Sequence, residues 1–92
     1  MIKGKTSTGF EFEVNEKIVN DWRFMKIMAA TLSKENARRI DGYTSLVNLM
    51  LGAGGEEKLC AHCTDDDGMI PIDRISDEIM DIMNAINENA KK

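Results

Sequence analysis

The chain has 92 residues, a formal net charge of -4, 42% hydrophobic and 30% charged residues, one Pro and two Cys. That length suits one domain with a small core; two cysteines cannot build a disulfide scaffold, and no apolar run is long enough for a membrane span. The acidic balance argues against nucleic acid as the main partner, because phosphate binding needs a basic face.

Met1-Ile2-Lys3-Gly4-Lys5 leads into no apolar segment of the signal-peptide type, so a cytoplasmic protein is expected. Seven Met stand against three Phe, one Trp and one Tyr. Methionine fills irregular gaps and repacks easily. The excess therefore reads either as a small helical core or as an adaptable, Met-lined groove.

The first fourteen residues predict a β-hairpin. Ile2, Gly4 and Thr6 alternate with Lys3, Lys5 and Ser7, and Phe10, Phe12 and Val14 alternate with Glu11 and Glu13. A three-residue loop, Ser7-Thr8-Gly9, closes the pair, with Gly9 in the left-handed conformation such loops need. This register sets Ile2 opposite Val14, Gly4 opposite Phe12 and Thr6 opposite Phe10 on one face. It sets Lys3 opposite Glu13 and Lys5 opposite Glu11 on the other, where opposite charges add a few tenths of a kcal/mol per pair. A lone hairpin is marginal, so its Phe face must pack on helices.

Asn15 is placed to cap a helix from Glu16 to about Ser33. Ile18, Trp22, Met25, Ala29 and Leu32 form its apolar stripe, widened by Val19 and Met28. Trp22 reads as a core residue of that stripe, with a partner contact as second reading. Lys34–Gly42 is polar and ends in Asp-Gly, which predicts a connection with at most a helical turn around Ala37–Arg39. A short helix is expected from about Tyr43 to Leu51, stopped by Gly52-Ala53-Gly54-Gly55. Glu56–Cys63 makes two further turns, with Leu59 and Cys63 on one face, and Thr64–Gly68 is a turn. Met69 and Ile70 are extended before Pro71, which suits the first turn of the last helix. Ile72, Ile75, Ile79, Ile82 and Ile86 form its stripe, flanked by Met80 and Met83, and Asn87–Lys92 is polar enough to fray. The fold class is α+β, predominantly α-helical: one domain over 1–92, a hairpin (1–14) packed on a region of about four helices (16–90).

Four features invite a chemical reading. Cys60-Ala61-His62-Cys63 could give half of a zinc site or a thiol pair, but no second knuckle and no other His accompany it. Ordinary cysteines, one of them buried, are the first reading; a metal- or thiol-dependent regulatory module on Cys60, His62 and Cys63 is the alternative. Asp65-Asp66-Asp67-Gly68 fails as an EF-hand, since the first and last ligand positions would be Cys63 and Arg74. The glycine run at 52–55 follows a helix and precedes Glu56-Glu57, which would repel a phosphate. Arg38-Arg39 is too small a pair for a nucleic-acid face. No catalytic constellation and no cofactor motif is present, so a non-enzymatic binding or assembly protein is expected; a small regulatory subunit or adaptor shares this composition.

Lys5-Thr6-Ser7-Thr8-Gly9-Phe10-Glu11-Phe12-Glu13-Val14, followed by Asn20-Asp21-Trp22, resembles the N-terminus of small tail assembly chaperones of siphophages infecting Firmicutes. In that family a Thr-x-x-Gly-Phe-x-Phe hairpin leads into a helix opening near Asp-Asp-Trp/Tyr. Leu49-Met50-Leu51-Gly52 is similar to its Leu-Leu-Gly, Asp65–Ile72 to its Asp-x-Asp-Gly-x-Ile/Val-Pro turn, and Ala90-Lys91-Lys92 to its frequent Ala-Lys-Asn ending. The chain departs from the family in its mixed Lys34–Arg39 linker, in its Cys-x-His-Cys segment and in Ala53-Gly54-Gly55, which replaces a compact Gly-Glu junction.

The resemblance implies a chaperone that binds and solubilises the tape measure protein and helps recruit major tail protein, in the host cytoplasm and outside the mature virion. It also implies a longer form made by ribosomal frameshifting, for which the codons of Lys91-Lys92 are candidates. Exposed apolar stripes of a long helical client need a cover, and an adaptable groove can supply one. Trp22, Met25, Met28, Met80 and Met83 are the candidate partner-binding residues, because they lie on or beside the two longest stripes. The hairpin edge at Ile2–Thr6 is a candidate for self-association into a homo-oligomer.

Overall fold

The computed structural model describes residues 1–90. Strands β1 (Ile2–Lys5) and β2 (Glu11–Val14) form a two-stranded antiparallel sheet. Its register is the expected one, with Ile2 opposite Val14, Lys3 opposite Glu13, Gly4 opposite Phe12 and Lys5 opposite Glu11. The loop closes through the Thr6 N–H donating to the Phe10 carbonyl (2.9 Å) and the Gly9 N–H donating to the Thr6 carbonyl (3.0 Å). Gly9 has φ +94°, which a side chain would resist. Ile2, Phe10, Phe12 and Val14 are buried on the inner face. The Phe12 ring lies over Gly4, where a Cβ would come within 2.7 Å of it.

A 3-10 helix (Glu16–Asn20) follows, and Asn15 caps it through Oδ1, which accepts from the Lys17 N–H at 3.0 Å. The continuous helix expected from Glu16 to Ser33 is broken at Asp21. The Asp21 side chain accepts from the Arg23 N–H at 2.8 Å and so starts α1 (Trp22–Thr31) afresh. The break removes Ile18 and Trp22 from a common face. Ile18 goes into the core, while Trp22 is 73%, Met25 61% and Leu32 81% exposed. The reading of Trp22 as core is therefore corrected. Phe24 and Thr31, with Ile27 and Met28 half-buried, form the inner face of α1 instead.

α2 (Asn36–Leu51) corrects the expected connection, since it runs straight through Asp41-Gly42. Gly42 is buried there against α1: a Cβ would stand 2.8 Å from the Thr31 backbone nitrogen and 3.0 Å from the Ala30 Cβ. A residue read as the end of a connection in fact allows two helices to approach closely. α3 (Gly55–Cys63) follows a link in which Gly52 and Gly54 have positive φ. The acidic turn closes on itself: Asp65 Oδ1 accepts from the Asp67 and Met69 N–H groups at 3.0 and 2.9 Å.

α4 (Ile72–Ala90) starts directly after Pro71, whose carbonyl accepts from Arg74 and Ile75 N–H groups. Ile79, Ile82 and Ile86 are buried at 2%, 0% and 0% exposure, each worth about 1.5–3 kcal/mol of apolar burial. Ile72, the first residue of the expected stripe, is 76% exposed. Helix geometry persists to Ala90 where fraying was expected from Asn87; Lys91 and Lys92 lie outside the described residues. α4 packs on β1 and α3, and α1 packs on α2.

Candidate functional site

The five candidate partner-binding residues fall in two places. Trp22, Met25 and Met28 belong to α1, and Met80 and Met83 to α4. Trp22, Met25 and Met80 are exposed, the last at 58%, while Met28 and Met83 are half-buried against the core. The four methionines do not line a shared groove. On α1, Met25 joins Trp22, Ala29 and, at the C-cap, Leu32 in an exposed apolar row.

A second apolar surface involves none of these residues. It is a crevice of about 220 Å³ between α2, α3 and the start of α4, lined by Ile40, Tyr43, Val47, Leu59, Ile70 and Ile75 among others. Ile40 and Ile70 are 56% and 44% exposed at its rim. Sequence reasoning missed it because Ile40 lay in the presumed connection and only the unbroken α2 brings it beside Tyr43.

The Cys-x-His-Cys segment forms the end of α3, and its side chains diverge. Cys63 is buried, Cys60 is half-buried, and both are free thiols. Burial pushes the Cys63 thiol up, with the nearby Glu78 carboxylate adding to the shift, so it is a poor nucleophile at neutral pH. His62 turns the other way: its ring packs on Phe10 (centroids 5.3 Å apart) and its Nε2 lies 2.9 Å from the Thr8 hydroxyl. Among the described residues, no three His, Cys, Asp or Glu side chains are grouped so as to hold a metal ion.

The residues that meet at this spot were not expected to. Thr8 donates to the buried carboxylate of Glu78, whose Oε1 is 3.8 Å from His62 Nε2. The other Glu78 oxygen is buried without a hydrogen-bond partner. One turn further on, Asp81 Oδ2 accepts from the Ser7 N–H (2.9 Å) and hydroxyl (2.8 Å). These bonds hold the Asp81 carboxyl below the usual carboxylate range. Two α4 acids thus pin the tip of the hairpin. The signal in the sequence was Glu78 itself, three residues after Ile75 and four before Ile82, on the apolar side of the helix.

On the exposed side of α1, Asp21 and Arg23 form a bidentate pair, with Nε and Nη2 of Arg23 at 3.1 and 2.8 Å from the carboxylate. The guanidinium bonds, reinforced by the Arg23 backbone N–H, hold the Asp21 carboxyl down at about 2. The pair anchors the first turn of α1 and sets Arg23 beside the exposed stripe. Comparison with protein-family models, with curated proteins and with solved structures gives no match.

Proposed function

We propose that this protein is a phage tail assembly chaperone, which covers apolar helical segments of the tape measure protein and helps recruit major tail protein during tail assembly. The observation that carries the reading is the exposed stripe along α1 and its C-cap, where Trp22, Met25 and the capping Leu32 stand 61–81% in solvent. Single exposed apolar residues are ordinary, but a row of large ones at helical spacing has a helix partner as its natural cover. Methionines at its edge let the surface adapt to a repeating client. The resemblance of the hairpin, the Asp21-Trp22 helix start and the Asp65–Pro71 turn to that family supplies the identity of the client. Met80, exposed on α4, with the half-buried Met83 is the candidate second contact.

The test is co-expression with the tape measure protein encoded beside this gene. The client becomes soluble with the wild-type chain, and the effect is lost when Trp22, Met25 and Leu32 are changed together to Ser. A client equally soluble with no chaperone, or with the triple variant, sinks the reading.

A further inference from the structure

We infer that the exposed face of α1 docks an acidic amphipathic helix; this rests on the chaperone reading and adds the charge pattern of the client to it. Trp22, Met25, Ala29 and Leu32 step by three, four and three along α1, which makes one seam on the side away from α2. Met28, half-buried, borders the seam on its inner edge. Lys26, exposed, borders the seam on its opposite edge, and Arg23, three residues before it and also exposed, stands further round toward α2 beside Ser45, Asn48 and Leu49. α1 carries these two cations and no acid. This happens in a chain whose net charge is -4, so the cationic edge runs against the overall balance.

The occupant follows from shape and charge together. α1 has ten residues, a seam of about 15 Å. A partner helix with apolar residues at the same spacing can interdigitate along two to three turns. Its flanking row must then face Lys26, with Arg23 further round, and carboxylates there are favoured over ammonium groups, as at the edges of a coiled coil. Asp21 already neutralises part of Arg23 at 2.8 Å, whereas Lys26 has no ion-pair partner among the described residues. Lys26 therefore carries most of the discrimination. Two cations are too few to hold a nucleic acid, which needs a longer basic track.

Trp22 is the sole tryptophan of the chain and sits in the seam, so it reports docking directly. The probes are two designed helical peptides with one shared Leu seam, flanked by Glu in one and by Lys in the other. On titration into the wild-type protein at low salt, the Glu peptide shifts Trp22 emission to the blue and binds about tenfold more tightly than the Lys peptide, a ratio fitting two exposed charge contacts made attractive or repulsive. The preference shrinks in high salt. Lys26→Glu reverses it, and Lys26→Gln abolishes most of it, while neither changes the circular dichroism of the protein.

Equal binding of the two peptides, or a preference unchanged in Lys26→Glu, overturns the inference. So does a single-stranded oligonucleotide that shifts Trp22 as well as the Glu peptide does. A blue shift that rises with protein concentration in the absence of peptide assigns the face to a second copy and overturns it too. The two levels fail separately. If the tape measure protein is solubilised but the peptides bind alike, the charge pattern falls and the chaperone reading stands. If the peptides are discriminated but no tape measure protein is solubilised, the reverse holds.

Discussion

α1 and α4 carry apolar stripes that look alike in sequence and end up in opposite environments. In α4 the Ile79, Ile82 and Ile86 row is buried to the last few per cent. In α1 the Trp22, Met25 and Leu32 row is in solvent. The difference lies in what stands on the other faces. α4 has one apolar face, because apart from its five Ile its positions are Asp, Asn, Glu, Arg, Ser, the two flanking Met and two Ala. α1 is apolar nearly all round, since Phe24, Ile27 and Met28 compete with the Trp22 row for the interior. The choice is made by Asp21, which ends the 3-10 helix and restarts the chain in a new phase, and by Gly42, which lets α2 close on Ala30 and Thr31. Periodicity finds stripes, and caps and close approaches decide which stripe is core.

The strongest way to break this comparison is to truncate the buried row. Ile82→Ala should cost about 2–5 kcal/mol, because the side chain is fully buried and its loss leaves a cavity. Urea denaturation with an unchanged slope measures it. A loss below about 1 kcal/mol would mean that α4 is not the spine of the core.

A middle-sized effect concerns the tie between α4 and the hairpin tip. The Asp81 carboxyl lies below its ordinary value because it accepts the Ser7 N–H and hydroxyl. A depressed folded value means the stabilisation is complete above the usual Asp pKa of about 4 and is lost as pH falls below that through the depressed value. Asp81→Asn keeps the acceptor but removes the titration, so thermal melts between about pH 2 and pH 5 should show a shallower acid limb than wild type. Some slope remains, since Asp21, held at about 2, contributes to it in the same direction. An acid limb identical to that of the wild type would mean that the Ser7–Asp81 contact does not persist in solution.

What was legible in the sequence follows the same physics. The hairpin register was readable pair by pair, because strict alternation, a Gly at the one left-handed position and facing Lys and Glu all specify one pairing. The α4 stripe from Ile75 onward, the α3 segment and the acidic turn were readable for similar local reasons. The α2 helix was not, since Asp-Gly is a turn signal until a neighbouring helix makes use of the missing Cβ. The contacts of Thr8 and Ser7 with Glu78 and Asp81 join residues seventy or more positions apart, and nothing in the local pattern announces them. The candidate site was half legible: Trp22 and Met25 were named, but the basic edge beside them and the crevice at Ile40 depend on helix phase and helix length.

The smallest expected effect on stability sharpens the comparison most. Trp22→Ser and Leu32→Ser should each change stability by no more than about 0.5 kcal/mol, since both side chains already contact water and neither substitution opens a cavity. Phe24→Ala, four residues from Met28 on the inner face, is the control and should cost about 3–5 kcal/mol. The contrast is sharp because Trp is the larger side chain of the two: area alone would rank the losses the other way, and only orientation reverses the order. Quenching gives a second readout on the unaltered chain. Iodide should quench Trp22 freely, and better than caesium, because Lys26 and Arg23 beside it attract the anion and repel the cation. A large loss of stability in Trp22→Ser, together with an unquenched tryptophan, would put Trp22 back in the core and return both helices to a single rule.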